Sequence, residues 1–408
     1  MRPRLKPALR RITRDERTLQ FGVHPRRAVL LTDLAPPVRE WVGSLDGTRD
    51  LREVMERARR VGLSERAALS LLGELTGRGL LDDASVPAPA LRGLSLAESD
   101  RLRPELEALE CRVADQGAVP SSRALAQPLA SAFPRRQAAR VRVYGAGRVG
   151  APIVAMLAAC GVGEIRVIDP GLARAEDLMP GGLGWSEVGM PRQDGAAVVA
   201  RRLIGPPHPA TPPHPAVPPS RAAGSSRRPR AAALPGPRPS SVAVGGGAQL
   251  GDGSQRPDLV ILAPVGPLDN LLVNELVSLR IPHLLVSAFE GYGSVGPLVV
   301  PGETACLHCL DLTRRDRDPD WPIVTARLGG YPAGEIACDT TLATLVASLS
   351  VGHALAHLEG QGTPVTNGTI DVMPDWQWRR RSWAVHPHCR CFRNLFGAIT
   401  MVTSGSCS

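Results

Sequence analysis

Lysine is almost missing from this 408-residue chain. Lys6 is the only one, so nearly all of the 48 basic residues are arginine, and 39 acidic residues leave a net charge of +9. Aromatic residues make up only 3%, which removes the basic–aromatic interleaving that stacks on single-stranded nucleic acid. Genomic base composition explains the arginine excess more simply than nucleic-acid binding does. Cysteine is also scarce: eight in the whole chain exclude a scaffold held together by disulfides. Long hydrophobic runs are lacking too. The longest, Thr340 to Leu358, contains His353 and His357 and reads as a buried helix, not a span of ~20 predominantly apolar residues. The basic start, Met1 to Thr18, has no apolar core of a signal peptide. These absences point to a cytoplasmic protein with reduced cysteines, and to neither nucleic acid nor membrane as a partner.

What is present supports real cores. With 43% hydrophobic and 21% charged residues, the chain has material for two or three domains of ~100–200 residues each. Residues 1–90 read as a small winged-helix-like α+β module. Thr18–Val23 and Ala28–Leu34 are short apolar runs either side of a polar turn, and so paired strands. Pro36-Pro37 opens a helix, Asp46-Gly47-Thr48 breaks it, and Leu51, Val54, Met55 and Ala58 recur at helical spacing on the next. Ser64 caps a third helix carrying Ala68, Leu71, Leu72 and Leu75. Residues 91–139, rich in Ala, Pro and Arg, read as a helical connector laid against the next domain.

From residue 140 to 397 the pattern is α/β. A strand through Val141 and Val143 runs into Gly145-Ala146-Gly147-Arg148-Val149-Gly150, a helix follows, and a second strand ends at Asp169. Further strands at Asp258–Ala263 and Pro282–Ser287 flank another helix. This alternation implies a mostly parallel, Rossmann-like sheet. Residues 205–256 interrupt it with 12 of the chain's 39 prolines and six arginines against one acid, Asp252. Such a composition predicts disorder. Residues 398–408 read as a tail.

Two motifs carry chemistry. The glycine turn has the spacing G-x-G-x-x-G between strand and helix, so Gly145, Gly147 and Gly150 would let a phosphate approach the helix N-terminus. Asp169, at the second strand's end, stands where a carboxylate reaches a ribose hydroxyl. Alone, this pattern fits an NAD(P) site by default, or a tight turn with no ligand. The second motif is Cys306-Leu307-His308-Cys309 with Cys389-Arg390-Cys391. Two close thiol pairs offer four ligands to a structural, tetrahedral zinc; the alternative is a redox or unliganded cluster. Cys338 reads as a buried cysteine at a helix start.

Together these stretches resemble the ThiF/MoeB-type superfamily, the adenylating enzymes related to ubiquitin-activating enzymes. The resemblance is carried by YGAGRVGAPIVAMLAACGVGEIRVID, PDLVILAPVGPLDNLLVNEL, PLVVPGETACLHCL, TLVASLSVGHALAHLEG and HPHCRC. It implies a ThiF-type NAD/FAD-binding fold, ATP over the glycine loop, ribose on Asp169, magnesium on Asp269, and zinc on Cys306, Cys309, Cys389 and Cys391. It also implies adenylation of a peptide or carrier-protein C-terminal carboxylate. The match is uneven. Where the family has an Asn-Leu-x-Arg segment this chain reads Asp177-Leu178-Met179-Pro180, and Arg192 takes the place of a family lysine. Arginine keeps that charge but not the compact ammonium geometry. Arg192 and Asp269 are thus catalytic candidates in a degenerate phosphate site, which leaves enzymatic activity open.

The N-terminal run LTDLAPPVREWVGSLDGTRDLREVMERA resembles PqqD-type leader-peptide recognition modules, in which a precursor peptide adds as a strand to the sheet edge. A module that only packs, or that binds DNA, is the other reading. The combination resembles leader-binding proteins of azole- and thiazole-forming peptide pathways, which partner a YcaO-type cyclodehydratase. A non-catalytic scaffold is therefore the alternative function, and the family resemblance implies a homodimer. The charge run from Asp311 to Trp321 reads either as a solvated surface or as a docking face.

Overall fold

Short antiparallel strands and three helices build the N-terminal part of the computed structural model, which describes residues 1–25, 28–86, 91, 94–114, 132–204, 243–246, 256–264, 268–328 and 338–391. Strand β1 (Pro3–Leu5) pairs with β5 (Leu81–Asp83), while β2 (Arg11–Thr13), β3 (Leu19–Phe21) and β4 (Val29–Leu31) form a separate three-stranded sheet. β1 and β2 escape a sequence reading because each has three residues, and Arg4 and Arg11 mask any apolar alternation. Helices Pro36–Gly43, Leu51–Arg60 and Glu65–Gly77 follow. Asp50 and Glu53 close a reciprocal capping box on the second, and the Ser64 hydroxyl accepts the Ala67 N–H on the third. Their apolar faces meet Leu19, Phe21, Trp41, Val54, Leu72 and Leu75 in one core, where the Trp41 indole donates to the Val54 carbonyl at 2.9 Å.

The first compact unit runs from Met1 to Pro134. Helix Leu96–Ala114 belongs to it. Leu102 and Leu109 on that helix cluster with Ala132 and Phe133, so its apolar stripe finds partners inside the unit.

The second unit is organised by one eight-stranded sheet. Its strands are β6 (Arg140–Tyr144), β7 (Glu164–Ile168), β8 (Ala243–Gly246), β9 (Leu259–Leu262), β10 (His283–Phe289), β11 (Tyr292–Val299), β12 (Gly368–Val372) and β13 (Trp378–Ser382). Their order is β13-β12-β11-β10-β9-β6-β7-β8. The pairs from β10 through β9, β6 and β7 to β8 are parallel, and β11 to β13 extend the sheet antiparallel. Alternating residues of β9 serve two cores. Leu259 and Ile261 join helices Gly150–Ala159, Arg192–Ile204 and Thr340–Leu358; Val260 and Leu262 join Asn270–Ser278 and Leu307–Arg317. The mostly parallel, Rossmann-like α/β architecture follows from this double coverage.

Two details bear on the sequence reading. Thr340–Leu358 is long and apolar enough to cross a membrane by composition, but Leu342, Val346, Val351 and Leu355 are buried in the sheet's core. Strand β8 lies inside residues 205–256, where disorder was expected throughout. Ala243–Gly246 pairs in parallel with Glu164–Val167 and buries Val244. A four-residue apolar run vanishes when composition is averaged over a proline-rich stretch. The rest of that stretch before Arg256, and the expected tail, lie outside the described residues.

Candidate nucleotide site and cysteine cluster

The chain leaves β6 for β7 on one side and enters β9 on the other, so the sheet has a topological switch point between β6 and β9. Open α/β sheets bind ligands at the carboxyl ends of strands at such a point. The glycine turn occupies it. Gly145 has φ +92°, and a Cβ there would lie 2.1 Å from the Ala263 carbonyl oxygen at the end of β9. A Cβ on Gly150 would lie 1.9 Å from the Gly145 carbonyl oxygen. The first and third glycines are therefore fixed by close backbone approach. Gly147 lies between them, ahead of helix Gly150–Ala159.

Asp169 is buried beneath this turn. One carboxylate oxygen accepts the Ala146 N–H at 2.8 Å and the other the Gly171 N–H at 3.1 Å. Arg192 closes on the same carboxylate in a two-pronged pair, Nε to Oδ2 at 2.9 Å and Nη2 to Oδ1 at 3.0 Å. Its third nitrogen faces Asp177 Oδ2 at 3.5 Å. Burial lowers the Arg192 pKa, but hydrogen bonding and charge from Asp169 and Asp177 outweigh it and hold the guanidinium charged. Gln193 adds a contact by accepting the Asp169 N–H at 3.1 Å. Five of the six residues expected at a nucleotide thus share one end of the sheet. The geometry gives Arg192 a role the sequence did not suggest: it neutralises the Asp169 carboxylate.

Asp269, the sixth, is exposed and caps helix Asn270–Ser278 by accepting the Leu271 N–H at 2.8 Å. That bond ties its carboxylate to the helix start. Arg174 is tied at the surface to Glu176 at 3.5 Å. Sequence reasoning passed over Arg148, although it stands inside the glycine motif. Its Nη1 donates to the carbonyls of Glu176 at 2.6 Å and Leu178 at 3.4 Å, and its Nη2 to the Thr340 hydroxyl at 2.8 Å. Cys338 is half-buried beside it; burial pushes the thiol pKa up against the pull of Arg148.

The four expected metal ligands converge. Cys306 opens helix Leu307–Arg317, Cys309 lies one turn in, and Cys389 and Cys391 arrive on the chain after β13. Their sulfurs lie 3.5–3.7 Å apart along the sequence Cys389–Cys306–Cys309–Cys391, and all four fall within 4.8 Å of one another. Metal–sulfur bonds of about 2.3 Å in a tetrahedron put sulfurs about 3.8 Å apart, so the spacing suits one metal ion. Hydrogen bonding from Cys306, with help from the His386 backbone, holds the Cys309 thiol below its ordinary pKa. His386 is buried and pairs through Nε2 with Asp316 at 2.8 Å. Asp311 accepts the Trp321 indole N–H at 3.0 Å, and Arg314 stacks over that ring. Part of the charge run after the knuckle therefore braces it.

Comparison with known proteins agrees with this architecture. Residues 131–204, from before β6 through Arg192, match the ThiF family model. No curated protein matches the chain. Among solved structures, the microcin C7 biosynthetic enzyme MccB in complex with N-formylated MccA is similar at 14% identity and a TM-score of 0.60, over 96% of this chain and 100% of that one. Escherichia coli MccB with ATP gives 14% and 0.59 over 95% and 99%. PaaA gives 15% and 0.61 over 93% and 100%. The chain is thus similar to the ThiF family over residues 131–204, and its fold is similar along almost its whole length to those of MccB and PaaA.

Proposed function

We propose that the protein is an ATP-dependent adenylyltransferase acting on the C-terminal carboxylate of a peptide. The observation that carries this reading is the glycine turn over Asp169 at the sheet's switch point, in a fold whose relatives have been solved with ATP and with the peptide MccA. A peptide carboxylate oxygen attacks the α-phosphorus of ATP. The bond from that phosphorus to the bridging oxygen breaks, pyrophosphate leaves, and the peptidyl-adenylate remains. The glycine turn would bring the phosphates to the positive N-terminal end of helix Gly150–Ala159. Asp169 accepts ribose hydroxyls once Arg192 shifts toward Asp177. Magnesium, which the reaction needs to offset phosphate charge, is assigned to Asp269. Zinc is assigned to Cys306, Cys309, Cys389 and Cys391 as a structural ion that ties helix Leu307–Arg317 to the chain after β13.

The N-terminal unit is assigned the precursor peptide. Its three-stranded sheet has β4 as an edge, with Leu30 exposed on it, and strand addition there would use backbone bonds for affinity. A homodimer and a cytoplasmic location complete the reading. One specific observation supports the alternative of a non-catalytic scaffold beside a YcaO-type cyclodehydratase: Arg192 is committed to two carboxylates, and Pro180 supplies no cation. ATP–pyrophosphate exchange with purified protein and candidate precursor peptides separates the two. Exchange that disappears in Asp269→Ala supports the enzyme. No exchange, with the peptide still bound, supports the scaffold.

A further inference from the structure

Two arginines stand at the nucleotide end of the sheet, and their charges are met in opposite ways. Arg192 faces two carboxylates. Arg148 forms no ion pair with any carboxylate among the described residues; its bonds go to two backbone carbonyls and one hydroxyl. Its Nε is buried without a hydrogen-bond partner among the described residues. The Cys338 thiol beside it is raised in pKa and so remains uncharged near neutrality. The N-terminal ends of two helices, Gly150–Ala159 and Thr340–Leu358, adjoin this guanidinium, since Arg148 precedes the first by two residues and bonds the first residue of the second. Asp339, the nearest acid in sequence to that second helix start, is spent as its cap on the Leu342 N–H. A part-buried cation with an unspent N–H, beside the start of helix Gly150–Ala159, which no side chain caps, makes a place for an anion.

We propose that Arg148, and not Arg192, is the residue that contacts the polyphosphate of the bound nucleotide. This rests on the adenylyltransferase reading above. The guanidinium lies against residues 176–178, the loop in which the sequence offers no cation of its own beyond surface-tied Arg174. Exchanging the Thr340 hydroxyl or a carbonyl for a phosphate oxygen replaces a neutral acceptor with a charged one, and charge-assisted bonds are about twice as strong. Arg192 keeps a positioning role on Asp169.

The test is calorimetric titration of the full chain with ATP, AMP and adenosine, for wild type, Arg148→Met, Arg148→Lys and Arg192→Met. The expected result is at least a tenfold loss of ATP affinity in Arg148→Met with adenosine binding unchanged within about twofold, partly restored in Arg148→Lys. Arg192→Met should instead weaken ATP and adenosine alike. Unchanged ATP affinity in Arg148→Met overturns the inference, as does an equal loss of ATP and adenosine, which marks a merely structural residue. If Arg148→Met does not fold, Arg148→Lys decides: ATP affinity as in wild type, with Arg192→Met selectively impaired for ATP, overturns it. Failure of wild type to bind either ATP or adenosine overturns the adenylyltransferase reading as well.

Discussion

Replacing Asp169 by Asn tests whether the Arg192–Asp169 pair organises the site. The carboxylate is 9% exposed and accepts four hydrogen bonds, two from Arg192 and two from backbone N–H groups. Asparagine keeps the shape but loses one acceptor oxygen, so an amide NH₂ must face either Arg192 or a backbone donor. Arg192, itself 14% exposed, then retains only Asp177 at 3.5 Å. At an effective dielectric of 20, unit charges about 3 Å apart attract by about 5 kcal/mol, and desolvation offsets part of this. Removing one partner of such a pair costs about 3 kcal/mol. The assay is urea denaturation followed at the transition of the second unit, run as a double-mutant cycle with Arg192→Met. A coupling of about 2 kcal/mol is expected, because each single variant strands the other partner. Additive effects, or a loss below about 0.5 kcal/mol for Asp169→Asn, would refute the reasoning.

Other consequences follow from local geometry. Gly145→Ala should destabilise the second unit by at least about 3 kcal/mol in the same assay, since its Cβ would meet the Ala263 oxygen at 2.1 Å with φ at +92°; a variant as stable as wild type would contradict the close approach. Wild-type protein should carry about one zinc by metal analysis, and Cys306→Ser should lose it; less than half an equivalent in wild type would sink the assignment. His283 is fully buried and its pKa is pushed down to about 4 by desolvation. Its folded pKa lies below the unfolded 6.5, so the unfolded chain binds the extra proton first. Stability present above pH 6.5 is therefore lost as pH falls toward 4, by about 3 kcal/mol from this group. His353 and His357, lowered by burial in the same direction, add to the slope. His283→Leu should flatten it, as read by denaturation midpoints from pH 7.5 to 4.5, and an unchanged slope would exclude His283.

What the sequence made legible were features set by fixed local offsets. The glycine turn, Asp169 after the second strand, and the two cysteine pairs each need only a few neighbouring residues to be recognised, and the structure brings each set together. Long-range partners were not legible in the same way. Nothing local ties Arg192 to Asp169 and Asp177, because the link depends on the chain folding back through the helix start at residue 192. Arg148 was visible inside the motif, but its lack of a carboxylate partner among the described residues is a three-dimensional fact. Strand β8 was hidden by proline-rich surroundings, and β1 and β2 by their length. The clustering of Leu102 and Leu109 with Phe133 was hidden too, because the composition between them suggests only a connector.

In the proposed reaction a peptide carboxylate attacks the α-phosphorus of ATP at the glycine turn. Oxygen labelling tests it most directly. A precursor peptide with ¹⁸O in its C-terminal carboxylate is incubated with the protein, Mg·ATP and hydroxylamine, which captures the acyl group as a hydroxamate and releases AMP. The expected product is AMP bearing one ¹⁸O atom, with pyrophosphate beside it, and no such AMP when the peptide C-terminus is amidated. Unlabelled AMP, or ADP and phosphate in its place, would contradict it.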